Sequence, residues 1–150
     1  MQKLSTFLDD LYLLPIYVVL VYTMGLPGWA KIFSHDQVIG RYVPMFADTF
    51  IDKIFGTSLM IYLLGIMEVV VVIFLVPSLA KLEFLYHKPK IWLKASLFTA
   101  MITFMSLGFG LRLVSNHDGA ANQYYYFGVT FFFYCWVSYL DRQAARETSL

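Results

Sequence analysis

The chain has 150 residues, of which 59% are hydrophobic, 19% aromatic and 14% charged, against about 45–50% apolar and about 25% charged in an average soluble domain. So much apolar surface excludes a disordered chain. A net charge of +1 with no extended basic run excludes the electrostatic footprint of a nucleic-acid binder, and the lone cysteine, Cys135, excludes an intramolecular disulfide or a cysteine-rich zinc site.

Four apolar runs follow in chain order. The first, over 11–30, is free of charge and has the roughly twenty residues that a helix needs to cross the hydrocarbon core. Asp9 and Asp10 stand before it where a signal peptide carries basic residues, so it reads as a retained helix. The second, over 54–80, carries a single charge, Glu68. The third covers 91–111 if Lys94 snorkels to the membrane surface. The fourth covers 119–140. Open β-structure is excluded at that depth, and the runs do not alternate as barrel strands do. The expected fold class is an all-α membrane protein, a four-transmembrane-helix bundle forming one domain over 1–150.

Lys3, Lys81, Lys88, Lys90, Lys94, Arg142 and Arg146 fall on one side of this arrangement, and Lys31, Arg41, Lys53 and Arg112 on the other. The excess places both termini in the cytoplasm. Trp29 and Tyr124–Tyr126 then form an outer aromatic belt, with Trp92, Trp136 and Tyr139 as the inner one. The 31–53 connection mixes apolar residues with charges, which predicts an amphipathic outer segment between helices 1 and 2. It is expected to lie over the bundle mouth and to be interrupted at Pro44.

Glu68 is the most informative position. It lies roughly 21 Å of helix rise from the start of its run, too deep for a glutamate to snorkel. An ionisable group there faces the bundle interior or a wet cavity and is by default a functional-site hypothesis. The competing reading is a neutral carboxyl that glues two helices by a hydrogen bond. Desolvation is expected to keep it protonated unless a cation reaches it, and the expected partners are Thr103, mid-span in helix 3, and Tyr22 of helix 1. Gly65, one turn earlier, leaves room for a ligand, a water or a close helix. Ser96, Thr99, Thr103, Ser106 and Gly110 recur every three or four residues and form a small-residue stripe, the usual device of close helix packing in lipid.

A second constellation stands at the outer ends of the runs. Lys31, His35 and Asp36 follow helix 1, while Arg112, Asn116, His117, Asp118 and Asn122 fill the turn between helices 3 and 4. These are candidates for proton handling at a bound quinol (His117 above all), for ligand binding (Lys31) and for anchoring a headgroup or carboxylate (Arg112), against the simpler reading of solvated loop residues. No metal site is expected, because the histidines lack ligand spacing. All three also lie outside the runs, where they cannot hold a membrane haem. Cys135 reads as a packing thiol, and His87, Lys88 and Lys90 as a basic loop drawn to anionic lipid.

The order of these features resembles the DoxX-like family of small four-helix bacterial membrane proteins. The likeness rests on Gly28-Trp29-Ala30-Lys31-Ile32-Phe33 at the exit of helix 1, on Leu64-Gly65-Ile66-Met67-Glu68-Val69-Val70 within helix 2, and on the polar turn from Asn116-His117 to Asn122. It covers about residues 10–140. The chain departs from the family in the valines after Glu68 and in lacking an arginine in helix 1. The resemblance implies a multi-pass protein of the bacterial inner membrane, with Gly28, Lys31, Glu68 and, more loosely, His117 as the matching positions. It also implies a subunit of, or partner to, a membrane oxidoreductase. The functional expectation is a small subunit associated with a membrane oxidoreductase or respiratory-type complex. Such a subunit has no intrinsic cofactor, binds a quinone or similar lipid-soluble ligand near Glu68, and has the lipid bilayer and other membrane-protein subunits as partners. Whether it is itself an enzyme stays open, as do a non-catalytic assembly subunit and a proton-coupled carrier of a small solute. A carrier is disfavoured by the absence of an inverted repeat.

Overall fold

A computed structural model of the protein describes residues 11–86 and 88–147, and these are helical with no strand among them. Lys3, Asp9, Asp10 and His87, which entered the sequence reading, lie outside the described residues, as does the side chain of His35. Helix α1 runs over Leu14–Phe33, α2 over His35–Phe46, α3 over Phe50–Phe55, α4 over Thr57–Ala80, α5 over Ile91–Leu113 and α6 over His117–Glu147. Of these, α1, α4 and α5 are long and apolar enough to cross a membrane. α4 is apolar all round, which fits lipid on one side and protein on the other. Large side chains such as Ile73, Val76, Phe98 and Phe132 stand exposed on the exterior, where water would penalise them and lipid does not. The protein is a helical membrane protein. The long α6 is poorer in aliphatic side chains, because its faces carry tyrosines, Asn122, Gln123 and Ser138.

The irregularities have local causes. Pro27 removes the donor that would meet the Thr23 carbonyl, and α1 widens into a π turn over Val21–Gly25 just before it. The interruption expected at Pro44 falls later: α2 passes through Pro44 and ends at Phe46 with Ala47 as its cap, and Asp48 takes a left-handed φ of 69°. Pro44 deprives only the Gly40 carbonyl of a partner, a loss that an exposed helix makes good with water. Thr49 caps α3, and Asp52 Oδ1 accepts from the backbone N–H (3.1 Å) and the hydroxyl (2.6 Å) of Thr57, tying α3 to the start of α4.

α1 packs on α4, α4 on α5 and α5 on α6. Their shared core includes Leu20 and Met24 of α1, Val71 and Leu75 of α4, Leu97, Ala100 and Phe104 of α5, and Val137 of α6. The small-residue stripe of α5 is mostly self-bonded. Thr99, Thr103 and Ser106 donate to carbonyls one turn back, and Ser96 alone of these hydroxyls crosses to another helix, donating to the Val71 carbonyl at 2.9 Å. Cys135 is exposed rather than packed inside.

Glu83 and Lys90 in the connection after α4 are held by specific hydrogen bonds rather than presented to lipid. Glu83, 2% exposed, accepts from the Trp92 and Leu93 backbone N–H groups at 3.2 and 2.9 Å, satisfying donors that the start of α5 leaves unpaired. Lys90 does not face lipid. It is fully buried, and its ammonium donates to the carbonyls of Leu85, Tyr86 and Lys88 at 3.1, 3.0 and 2.8 Å. Asp141 closes the cluster from α6, accepting from the Lys90 backbone N–H at 3.1 Å and pairing with the Lys94 ammonium.

Burial pushes the Asp141 carboxyl upward, but the Lys94 and Lys90 hydrogen bonds and the two ammonium charges outweigh it and hold it below the usual carboxylate range. A depressed folded value stabilises the fold fully above the unfolded value of about 3.9, and that stabilisation is lost as pH falls through the folded value. The melting temperature in detergent is therefore expected to drop below about pH 4, and by less in Asp141→Asn. An equal acid drop in that variant would remove Asp141 from the explanation and leave Asp52, which the Thr57 hydrogen bonds lower in the same direction.

Candidate functional site: a buried ion pair beneath an apolar cavity

Glu68 sits near the middle of α4 and is 1% exposed. The cation that reaches it is Lys31, whose buried Nζ donates to Oε1 at 2.5 Å. Lys31 was expected at the outer end of helix 1, lining the bundle mouth as a ligand-binding candidate. It is instead inside the bundle, because α1 continues to Phe33 beneath α2 and α3 while α4 extends about three turns beyond Glu68. Thr103 and Tyr22 do not hold the carboxylate. The Thr103 hydroxyl donates to the Thr99 carbonyl at 2.9 Å, and Tyr22 is largely exposed.

Two glycines let the helices come close enough for this pair. A Cβ on Gly28 would stand 2.8 Å from Glu68 Cβ and 3.1 Å from the Val69 backbone nitrogen; one on Gly65 would stand 2.8 Å from Lys31 Cβ. Each helix thus presents a glycine followed three residues later by its charge. Crossing in opposite directions, α1 and α4 set each glycine against the other helix's charged residue. Gly65 is explained as the seat of a close helix.

Above the pair lies a cavity of about 640 Å³. Lys31, Glu68 and Tyr22 line it, α2 and α3 roof it with Tyr42, Phe46 and Phe50, and Phe104 and Tyr126 close it from α5 and α6. The amphipathic segment expected over the bundle mouth is this roof. The walls are mainly apolar and aromatic with few polar groups, the usual make-up of a small-molecule site. Two polar atoms of its lining residues, Glu68 Oε2 and Gln123 Oε1, are buried and have no hydrogen-bond partner. Such atoms are costly unless a partner arrives.

The remaining candidates are placed elsewhere. Arg112 Nη1 donates to His117 Nδ1 at 2.7 Å on the exposed turn before α6, and neither residue lines the cavity. Asn116 accepts from the Gly119 backbone N–H at 2.9 Å and serves the turn. Asp36, Asp118 and Asn122 are exposed. Thr103 is fully buried and is not part of the cavity wall. Among the described residues no three His, Cys, Asp or Glu side chains converge as metal ligands do. Gln123 escaped the sequence reading because it adjoins Asn122 in a polar helix start. Its only signal is its place three residues before Tyr126, on one helix face. No protein-family model, curated protein or solved structure matches this chain.

What the arrangement offers chemically is a donor and an acceptor side by side at the base of an aromatic chamber. The ammonium of Lys31 suits a carbonyl oxygen, and the carboxylate of Glu68 suits a hydroxyl or N–H. The pair is neutral as a whole, which limits the cost of keeping it in a low-dielectric interior.

Proposed function

We propose that this protein binds a lipid-soluble ligand of the quinone class in the cavity, with the ring between the aromatic walls and its oxygens toward Lys31 and Glu68, as a small subunit associated with a membrane oxidoreductase. The observation that carries the reading is the cavity itself: about 640 Å³, mainly apolar, with a buried ion pair at its base. A structural ion pair needs no chamber beside it, and a purely apolar chamber needs no ion pair. The ring oxygens of a quinone accept from an ammonium, and the hydroxyls of the corresponding quinol donate to a carboxylate. One site thus serves both forms, which differ by two electrons and two protons, and the Glu68 carboxylate can hold one of those protons while the oxidoreductase supplies the electrons.

The same proposal includes α6 as a fourth crossing, both termini on the cytoplasmic side, and residence in a bacterial inner membrane. The orientation rests on the excess of Lys81, Lys88, Lys90, Lys94, Arg142 and Arg146 over Lys31, Arg41, Lys53 and Arg112 on the roof side. Kinship with the DoxX-like proteins belongs to this reading too, supported by the meeting of Gly28, Lys31 and Glu68 in one contact.

The test is a thermal-shift titration of the detergent-purified protein with a short-chain quinone, its quinol, and a chain-matched alcohol without the ring. Either ring compound is expected to raise the melting temperature, with a stabilisation that grows as the logarithm of its concentration above Kd. Glu68→Gln is expected to weaken quinol binding about 10- to 100-fold, the value of a hydrogen bond to a charged group. If the plain alcohol stabilises as well as the rings, the cavity is an unspecific apolar hole. If nothing stabilises, the assembly-subunit reading takes its place.

A further inference from the structure

At the opposite end of the bundle from the roof, a groove of about 450 Å³ runs between α5 and α6, lined by Lys94, Ala95, Phe98, Tyr134, Ser138 and Arg142. Its residues are graded along its length. On α6, Tyr134, Ser138 and Arg142 follow at four-residue steps, and on α5 Lys94 and Phe98 do the same, so each set lies on one helix face. The two cations therefore meet at one end, and at the other Phe98 and Tyr134 stand with ring centroids 6.5 Å apart. Arg142 to Tyr134 is roughly 12 Å of helix rise, and Ala95, with its small side chain, leaves the dip between them.

The charge at the polar end is not internally balanced. Asp141 pairs with Lys94, which leaves the Arg142 guanidinium, exposed and one residue further along α6, as net positive charge. Ser138, one turn from Arg142 toward the rings, adds a half-buried hydroxyl. Exposed Trp136 and Tyr139, one on each side of Ser138 along α6, mark this end as the headgroup layer of the bilayer. A groove between two helices that passes from a cation pair and a hydroxyl to aromatic rings has the polarity profile of one phospholipid. The phosphate falls at the cations, the glycerol at the hydroxyl and an acyl chain along the rings.

We propose that this groove is a binding site for a single anionic phospholipid, its phosphate held by Arg142 and Lys94, its glycerol at the Ser138 hydroxyl and one acyl chain lying against Phe98 and Tyr134. A zwitterionic headgroup brings its own cation close to Arg142 and Lys94 and loses the attraction. Basic pockets between transmembrane helices select anionic headgroups in this way. The site is separate from the cavity above Lys31 and Glu68 and does not depend on what that cavity holds.

The experiment is native mass spectrometry of the full chain released from nanodiscs containing equal amounts of phosphatidylglycerol and phosphatidylcholine with matched acyl chains. One phosphatidylglycerol per chain is expected to be retained in preference to phosphatidylcholine. Arg142→Gln is expected to cut that preference about fivefold, the effect of one basic residue at a membrane surface, and Arg142→Lys to restore most of it. Ser138→Leu fills the groove without changing charge, so it is expected to abolish retention of either lipid and provides a second reading should Arg142→Gln fail to fold. Equal retention of the two lipids by the wild type overturns the proposal. So does a preference unchanged in Arg142→Gln, or displacement of the lipid by millimolar inorganic phosphate, which would make this a site for the free anion.

Discussion

Lys31→Met is expected to lower the unfolding free energy by about 3–5 kcal/mol, and adding Glu68→Met to recover most of that loss. The asymmetry follows from where the pair sits. Lys31 and Glu68 are both buried, and Oε1 already accepts from the ammonium at 2.5 Å while Oε2 has no partner. Removing the cation leaves a carboxylate in a low-dielectric interior with nothing to offset its lost hydration. Removing both charges leaves two flexible apolar chains of similar length in a space already walled by apolar groups. Each single variant and the double variant, unfolded in the same detergent, form a double-mutant cycle whose coupling is expected to be large. Additive losses would mean that the two side chains do not act on each other. The cycle also separates fold from function: the double variant should melt near the wild type yet bind no quinol, since both polar groups at the base of the cavity are gone.

The apolar runs were legible because lipid imposes a coarse rule, length and charge together, and α1, α4 and α5 obey it to within a few residues. The α6 run was legible only from its lack of charge, and its continuation to Glu147 was not. Beyond Leu140 the helix carries Asp141, Arg142 and Arg146, which read as a polar tail until the α5 side chain of Lys94 is seen to pair with Asp141. Glu68 stood out as a charge where charges are expensive. Its partner did not, because Lys31 sits at the edge of an apolar run, where a lysine ordinarily reaches water. What hides it is the third dimension: α2 and α3 close over the end of α1, and no pattern along the chain reveals how deep a helix end will lie. The same reason hid the role of Glu83 and made Lys90 read as a lipid-facing charge. Both lie in a short polar connection, and they are buried only because the connection folds back onto the start of α5.

Gly28→Ala and Gly65→Ala are expected each to destabilise the protein by about 1–3 kcal/mol, against the helix preference that ordinarily favours alanine over glycine by up to about 1 kcal/mol. The sign is decided by what the new methyl meets. On Gly28 it lands 2.8 Å from Glu68 Cβ and 3.2 Å from the Gly65 carbonyl oxygen, and on Gly65 it lands 2.8 Å from Lys31 Cβ. None of these is the mobile tip of a side chain, so no rotamer change relieves the contact and the two helices must separate by about an ångström in a close-packed interior. Separation stretches the Lys31–Glu68 bond as well, so the loss should be smaller when the same substitution is made in the Lys31→Met, Glu68→Met background. Gly128 supplies the control within the same fold. It lies in α6 with nothing within 4 Å of the Cβ it would carry, so Gly128→Ala should be neutral or stabilising. Chemical unfolding of the three alanine variants in one detergent reads the contrast. A Gly28→Ala protein as stable as Gly128→Ala would mean that α1 and α4 do not approach through their glycines, and the ion pair would then lose the contact that brings its two charges together.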